Sequence, residues 1–340
     1  MIGQRAEAIA HPNIALAKYW GKLDEAQNLP AVPSLSLTLA GMSTRAAVQF
    51  DPALSADAVE IDGRPATAPA AARVAALLDL VWQAPGGPGG ARPPAAVQSA
   101  NDFPTAAGLA SSASAFAALA VAASAAAGAR WSEAELSDLA RRISASAARS
   151  VFGGFVELPA ATAVAPALSA RPLAGPEHWD LRMIVAVTTE EAKTVGSTQG
   201  MLRTARTSPL YAGWLAVAPG IFAAVREAVL RRDLERLGEA AERSALAMHA
   251  TALAAEPGLL YWNGATVELM AEVRRLRAGG LAAYFTIDAG PHVKVLTVPE
   301  EVDRVRDRLA VVPGVLRTIV ARPGAGARLC SVAAQPGESP

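Results

Sequence analysis

Residues 104–120 read PTAAGLASSASAFAALA, and this stretch decides the fold. A proline opens it, Gly108 and the pair Ser111-Ser112 follow, and the remainder is alanine-rich. Proline is tolerated at the start of a helix but not inside one, and alanine has the highest intrinsic helix propensity. The stretch therefore predicts a small-residue loop feeding a helix N-terminus. Unpaired backbone N–H groups and the positive end of the helix dipole meet at such a place, which suits a phosphate chain. It is not the Walker pattern, because no Gly-Lys-Ser/Thr follows the loop. Two other readings compete. No residue from Phe103 to Gly128 is charged, which is long enough for a bilayer span. Alanine is barely apolar, however, serines interrupt the run, and no Lys/Arg cluster flanks it. A plain buried helix accounts for the alanines but not for Gly-Leu-Ala-Ser-Ser at their start.

The chain of 340 residues exceeds a typical single domain, so two lobes are expected. The segment ARPLAGPEHW, within 170–180, is the best boundary, giving lobes at 1–180 and 181–330 and a probable disordered tail at 331–340. Acidic and basic residues balance at 31 each, which argues against a broad nucleic-acid-binding face. One cysteine, Cys330, cannot build a disulfide framework and indicates a reducing compartment. The N-terminus lacks the apolar core and cleavage site of a secretion signal, so the cytoplasm is the expected location. Only four of the basic residues are lysines: Lys18, Lys22, Lys193 and Lys294. In an arginine-biased chain, the pair Lys18 and Lys22 in KYWGK stands out, because a compact ammonium on a flexible stem does what a planar guanidinium cannot.

Strands are predicted at 6–20, 34–50, 55–63, 95–100, 181–188, 281–287 and 293–298. Helices are predicted at 69–83, 132–148, 209–231, 233–253 and 299–310, with a Gly/Pro loop at 84–94. Histidines 11, 178, 249 and 292 are scattered, no Cys/His/carboxylate cluster has zinc spacing, and a G-x-S-x-G elbow is absent. These absences leave hydrolase and metalloenzyme readings without a visible pattern.

Four further segments complete the picture: NIALAKYWGK (13–22), SASAARSVFGGFVEL (144–158), KTVGSTQGM (193–201) and TIDAGPHVKV (286–295). With the loop at 104–112, and in this order over roughly 9–295, they resemble the diphosphomevalonate decarboxylase family of the GHMP kinase superfamily. MHAT (248–251) and YWNGAT (261–266) are smaller echoes of the same family. The resemblance implies an α+β two-lobed GHMP kinase fold, with a ribosomal protein S5 domain 2-like N-terminal lobe and a ferredoxin-like C-terminal lobe. It implies ATP-dependent phosphorylation of the tertiary 3-hydroxyl of diphosphomevalonate, followed by loss of phosphate and carbon dioxide to give isopentenyl diphosphate.

Each requirement of that reaction can be matched to a residue. A tertiary alcohol needs a carboxylate as base or orienting group, and Asp288 matches the family's catalytic aspartate. On its own, Asp-Ala-Gly-Pro reads equally well as a turn. Arg149 matches the arginine that grips the substrate carboxylate, which a guanidinium can do bidentately. Lys18 would keep Asp288 ionised and offset charge on the developing alkoxide. Tyr19, Trp20, Gly21 and Lys22 resemble the segment that holds the diphosphate. The resemblance also places Arg73, the run Ser144, Ala145, Ser146, Ala147 and Ala148, and Thr198 around the substrate. For ATP it implies a cradle of Pro104, Gly108, Leu109, Ala110, Ser111 and Ser112, with Mg²⁺ bridging phosphate oxygens and no dedicated protein metal site. A homodimer is expected, with no nucleic-acid or membrane partner.

The chain departs from the family at three places. The usual Ser-Gly-Ser-Ala-Cys is Ser144-Ala145-Ser146-Ala147-Ala148, which would matter if position 145 needed a positive φ. Val32-Pro33 replaces the common Asn-Ser, and His292 replaces the usual Asn after Asp-Ala-Gly-Pro. These changes bear on the choice between the diphosphate and the monophosphate. A phosphomevalonate decarboxylase, a mevalonate-type kinase and a non-catalytic nucleotide-binding relative are the rival readings.

Overall fold

Two large sheets and a small two-stranded one, Lys22–Asp24 with Leu29–Pro30, are formed by the described residues, which in the computed structural model are 3–103, 111–162, 167–191 and 193–333. The first sheet runs in the order Arg328–Ala333, Arg5–Ala10, Thr44–Phe50, Ala95–Asn101, Ala58–Ile61, Arg64–Pro65. The second runs Arg171–Ala174, Phe155–Leu158, Ser34–Ala40, Arg317–Pro323, Arg182–Val187, Val293–Thr297, Tyr284–Ile287, with Asn13–Ala17 also pairing with Ser34–Ala40. This sheet draws strands from both halves of the sequence. The last described strand, Arg328–Ala333, returns to pair with Arg5–Ile9 in the first sheet, three residues into the stretch expected as a tail.

The helices are α1 (Ala68–Gln83), α2 (Ser111–Ala126), α3 (Glu133–Ile143), α4 (Ala147–Ser150), α5 (Ser197–Thr207), α6 (Tyr211–Arg231), α7 (Leu234–Leu253), α8 (Gly264–Ala278) and α9 (Val302–Ala310). Alanine in α2 loses no side-chain entropy and allows close approach, so this helix sinks into the first lobe's core against Val48, Val97, Leu77 and Leu78. Burial within the protein accounts for its apolar run without a bilayer. Helix α6 is long and apolar enough to cross a membrane, with a mean hydropathy of 1.4. Its Ile221, Val225, Ala228 and Val229 pack with Leu237, Ala240 and Ala241 of α7.

The long strand expected over 6–20 divides at His11-Pro12, and the one over 34–50 divides at Gly41, whose φ of +96° turns the chain out of the second sheet into the first. Residues 55–63 give a shorter strand whose turn, Asp62-Gly63, has positive φ at both positions, the hairpin geometry Asp-Gly favours. The helix expected at 132–148 breaks in two. A capping box of Ser132 and Glu135 starts α3, and its last turn closes on Ser144. Residues 144–146 then bridge to α4. That break is where the serines of the motif sit.

Candidate active site

The strand Asn13–Ala17 pairs with Ser34–Ala40 with a bulge between Ala15 and Ala17. Bulges re-aim the residues beside them, and Lys18 follows directly. Its backbone N–H is held by Ser244 Oγ of α7 at 2.9 Å. Its ammonium donates to Ala15 O at 2.8 Å and to Asp288 Oδ1 at 2.6 Å. Asp288 follows the strand Tyr284–Ile287, and the hairpin returns as Val293–Thr297, so Lys294 faces the same carboxylate. Lys294 Nζ lies 3.2 Å from Asp288 Oδ2 and 3.3 Å from His292 O. Both lysines are buried, whereas the Asp288 side chain keeps 24% exposure, so a substrate can reach it.

Burial works against the charge on Asp288, but Lys18 and Lys294 outweigh it and hold the carboxyl well below the usual carboxylate range. Burial likewise pulls Lys18 down to about 8, against the opposing pull of Asp288. His249 of α7 touches Asp288 O at 3.2 Å, and burial lowers it to about 3, so it is neutral. His292 accepts the Thr188 N–H on Nδ1 at 3.2 Å and is likewise lowered to about 3 by burial. Lys193 reaches Ala289 O at 3.2 Å and Ser197 Oγ at 2.8 Å.

Arg149 lies on α4, which Asn13 ties down through Ser146 O at 2.9 Å and Ser150 Oγ at 2.8 Å. Among the described residues its guanidinium donates to neutral groups only: Ser34 Oγ at 2.7 Å, Ser36 Oγ at 3.0 Å and Asn13 Oδ1 at 3.4 Å. Burial lowers it to about 10, so it stays cationic at neutral pH. Beside it, the buried Tyr19 hydroxyl has no hydrogen-bond partner among the described residues, and burial raises its pKa. A buried cation and a buried donor without an anionic partner fit an incoming carboxylate or phosphate. Lys18, Lys193, Lys294 and Arg149 surround the single carboxylate of Asp288, an excess of positive charge that suits a polyanion.

Most of the expected site residues converge. Ser144 and Ser146 place their hydroxyls 3.1 Å apart in the break between α3 and α4. Arg73, on the exposed face of α1, reaches the Ile143 carbonyl next to Ser144 at 3.3 Å and lies over the Phe116 ring. Lys22 is half-buried within electrostatic reach of Arg73 and Glu25. Gly21 has φ +120°, and an added Cβ would collide with the Tyr211 hydroxyl. Thr198 is exposed in the first turn of α5, and Gly200 of the same helix leaves room for the Trp20 and Tyr261 rings.

Some residues take a different part. Trp20 is packed with Val32, Met201, Trp214 and Tyr261, and Trp214 donates to its carbonyl at 2.6 Å. Its ring packs in that cluster, and its buried Nε1–H has no hydrogen-bond partner among the described residues. Ala145, Ala147 and Ala148 turn their methyls into the first lobe's core, leaving only backbone for a ligand. Ala145 is not among the positive-φ residues, so alanine replaces glycine there without strain. Ser111 and Ser112 open the described part of α2, while Pro104, Gly108, Leu109 and Ala110 lie outside the described residues. Among the described residues no group of three or more His, Cys, Asp or Glu could hold a metal.

The two-lobed α+β architecture and the cationic cleft around one aspartate are those of a GHMP-type fold. Residues 10–168 match the family model of the diphosphomevalonate decarboxylase-like N-terminal domain. Residues 183–318 match that of the mevalonate 5-diphosphate decarboxylase C-terminal domain. The diphosphomevalonate decarboxylase of Candida albicans is 33% identical over 304 residues, covering 85% of this chain and 83% of its own. A solved complex described as "MDDEF in complex with MVAPP, AMPPCP and Magnesium" superposes with a TM-score of 0.88 at 39% identity, covering 96% of this chain and 99% of that one. Mevalonate diphosphate decarboxylase from Staphylococcus aureus gives a TM-score of 0.89 at 36% identity, with 96% and 98% covered. The chain belongs to the diphosphomevalonate decarboxylase family.

Proposed function

We propose that the chain carries out the ATP-dependent decarboxylation of (R)-5-diphosphomevalonate to isopentenyl diphosphate, releasing ADP, phosphate and carbon dioxide, as a step of the mevalonate route to isoprenoids. The observation that carries the reading is the Asp288 carboxylate, gripped by buried lysines and partly open to solvent, with the unpaired Arg149 guanidinium in the same cleft. Asp288 accepts or orients the proton of the tertiary hydroxyl, and Lys18 offsets charge on the alkoxide. Arg149 holds the substrate carboxylate until carbon dioxide leaves. Tyr19, Lys22, Arg73, Ser144, Ser146 and Thr198 supply donors for the diphosphate. The loop at 104–112 would cradle the ATP phosphates, where bound Mg²⁺ would supply charge neutralisation. A homodimer in the cytoplasm completes the reading, with a lobe boundary near 180 across which Arg328–Ala333 returns to the first sheet; light scattering tests the dimer.

The decisive assay measures ADP and carbon dioxide with the mono- and diphosphate substrates side by side. The donor set exceeds what one terminal phosphate needs, and each buried donor left unpaired costs about 1–3 kcal/mol. The diphosphate is therefore expected to be preferred in kcat/KM by at least roughly tenfold, or about 1.4 kcal/mol. Preference for the monophosphate would promote a phosphomevalonate decarboxylase, and ADP without carbon dioxide a kinase. A second expectation separates the two motif lysines. Lys22→Ala raises the apparent KM for the phosphorylated substrate, because it removes a grip on a non-reacting group, while Lys18→Ala lowers kcat. Matching kinetic signatures would show the roles to be wrongly divided.

A further inference from the structure

Lys294 is fully buried, its ammonium set between two oxygens of one hairpin: Asp288 Oδ2 at 3.2 Å and His292 O at 3.3 Å. Thr286, the residue paired with Lys294 across the two strands, lies just two positions before Asp288. Lysine is an expensive choice for such a place. A buried ammonium is stable only when paired and hydrogen-bonded, and apolar residues fill the neighbouring positions Val293 and Val295. The turn that carries Asp288 is braced from outside as well. Thr266 of α8 donates to Pro291 O at 2.6 Å, and Thr188 N–H holds the His292 ring.

We infer that Lys294 is a positioning residue for the reaction: by ion-pairing with Oδ2 while Lys18 hydrogen-bonds Oδ1, it fixes the plane of the Asp288 carboxylate. Oδ2 accepts no hydrogen bond among the described residues, so its lone pairs stay open to the substrate hydroxyl. With one lysine the carboxylate could pivot about χ2, a soft torsion, and follow its single partner. With two it presents its remaining lone pairs in one direction, and the near-attack geometry is built before substrate arrives. The second ammonium also keeps the group ionised, at the cost of making it a weaker base.

The groups that face Asp288 are Lys18, Lys193, Lys294, Arg149 and His249. His249 is neutral, and the other three cations remain when Lys294 is replaced. Removal of Lys294 therefore raises the Asp288 carboxyl toward the ordinary carboxylate range without neutralising it at pH 7.

The inference rests on the proposed decarboxylation, so the wild-type enzyme is assayed first with ATP and diphosphomevalonate across pH. No turnover there would defeat the functional reading and leave no role for Lys294 to position. With turnover established, Lys294→Met is expected to lower kcat about ten- to hundredfold with KM for both substrates within about threefold. The acid limb of its kcat profile is expected to move up in pH. Lys294→Arg, which keeps the charge, is expected to recover the acid limb of the wild type. Lys294→Gln, which keeps a donor to His292 O without the charge, gives the same reading should the methionine variant not fold. A folded, cooperatively melting variant with unchanged kcat, or with a reduced kcat and an unmoved acid limb, overturns the inference.

Discussion

Asp288→Asn is expected to lower kcat by about 10²-fold or more while KM for both substrates stays within about threefold. The amide keeps the shape of the carboxylate but carries no charge and cannot take the hydroxyl proton. Its stability cost follows from the same geometry. Asp288 is the shared counter-charge of Lys18 and Lys294, both buried. Removing one partner of a buried ion pair costs about 3–5 kcal/mol, and the lower end applies because Asp288 is partly open to water. Lys18 offers a release, because it is already lowered to about 8 and sheds its proton more easily once the carboxylate is gone. The sign of the pH dependence is fixed. The Asp288 carboxyl is held below its unfolded value of about 3.9, so its stabilisation is complete above that pH and is lost as pH falls toward the folded value. The difference in melting temperature between wild type and Asp288→Asn is therefore largest near neutral pH and shrinks below about pH 4. Turnover within a few-fold of wild type, or a gap in melting temperature that widens in acid, would remove Asp288 from the centre of the site.

Lysine retention is the clearest sign of the site in the sequence, and spacing makes only half of it legible. Lys18 and Lys22 stand out because they sit four apart in one motif. Lys294 and Lys193 carry no such spacing, yet they approach Asp288 Oδ2 and Ala289 O through a hairpin and a loop that sequence distance conceals. Asn13, Ser34 and Ser36 were missed for a different reason. In SLSLTLA the polar and apolar residues alternate, which reads as one face to the core and one to water. Here Ser34, Ser36 and Thr38 are all buried, because α4 and the residues after it cover that face, with Arg149 donating to Ser34 and Ser36 and Thr38 donating to Phe152 O. A row made only of small hydroxyls, with no Lys or Glu, was the available hint that the polar face turns inward. Helix α8 and the strand Arg317–Pro323 escaped notice for want of contrast. Tertiary partners stabilise both, Leu269 and Val273 packing on Phe285 and Arg322 pairing with Ala40 across the halves of the second sheet. The division of the 132–148 helix was hidden by its alanines, which favour helix on either side of a break that the buried Asn13 contacts enforce.

Arg149→Met is expected to separate activity from stability in the opposite way to Asp288→Asn. In the folded protein Arg149 is 2% exposed, and no carboxylate pairs with it directly. Burial already lowers its pKa to about 10, which records the work of keeping that charge away from water. Methionine has comparable length and carries no desolvation cost. What it leaves behind are Ser34 Oγ, Ser36 Oγ and Asn13 Oδ1, and an unsatisfied buried group costs about 1–3 kcal/mol. The serine hydroxyls can rotate to other acceptors on the strand, so the two effects nearly cancel. A melting temperature within about 5 °C of wild type is expected. Activity has no such compensation. In the proposed mechanism the guanidinium is the donor fork that holds the substrate carboxylate, and loss of a preorganised donor of this kind costs about 10²–10³-fold in kcat. Arg149→Lys keeps the charge but not the planar fork, and should fall between the two. Melting temperature and kcat measured on the same preparation decide the matter. If activity disappears only because the fold does, Arg149 is a structural tie between α4 and the strand Ser34–Ala40. If the protein melts as before and no longer releases carbon dioxide, the buried charge is maintained for the substrate.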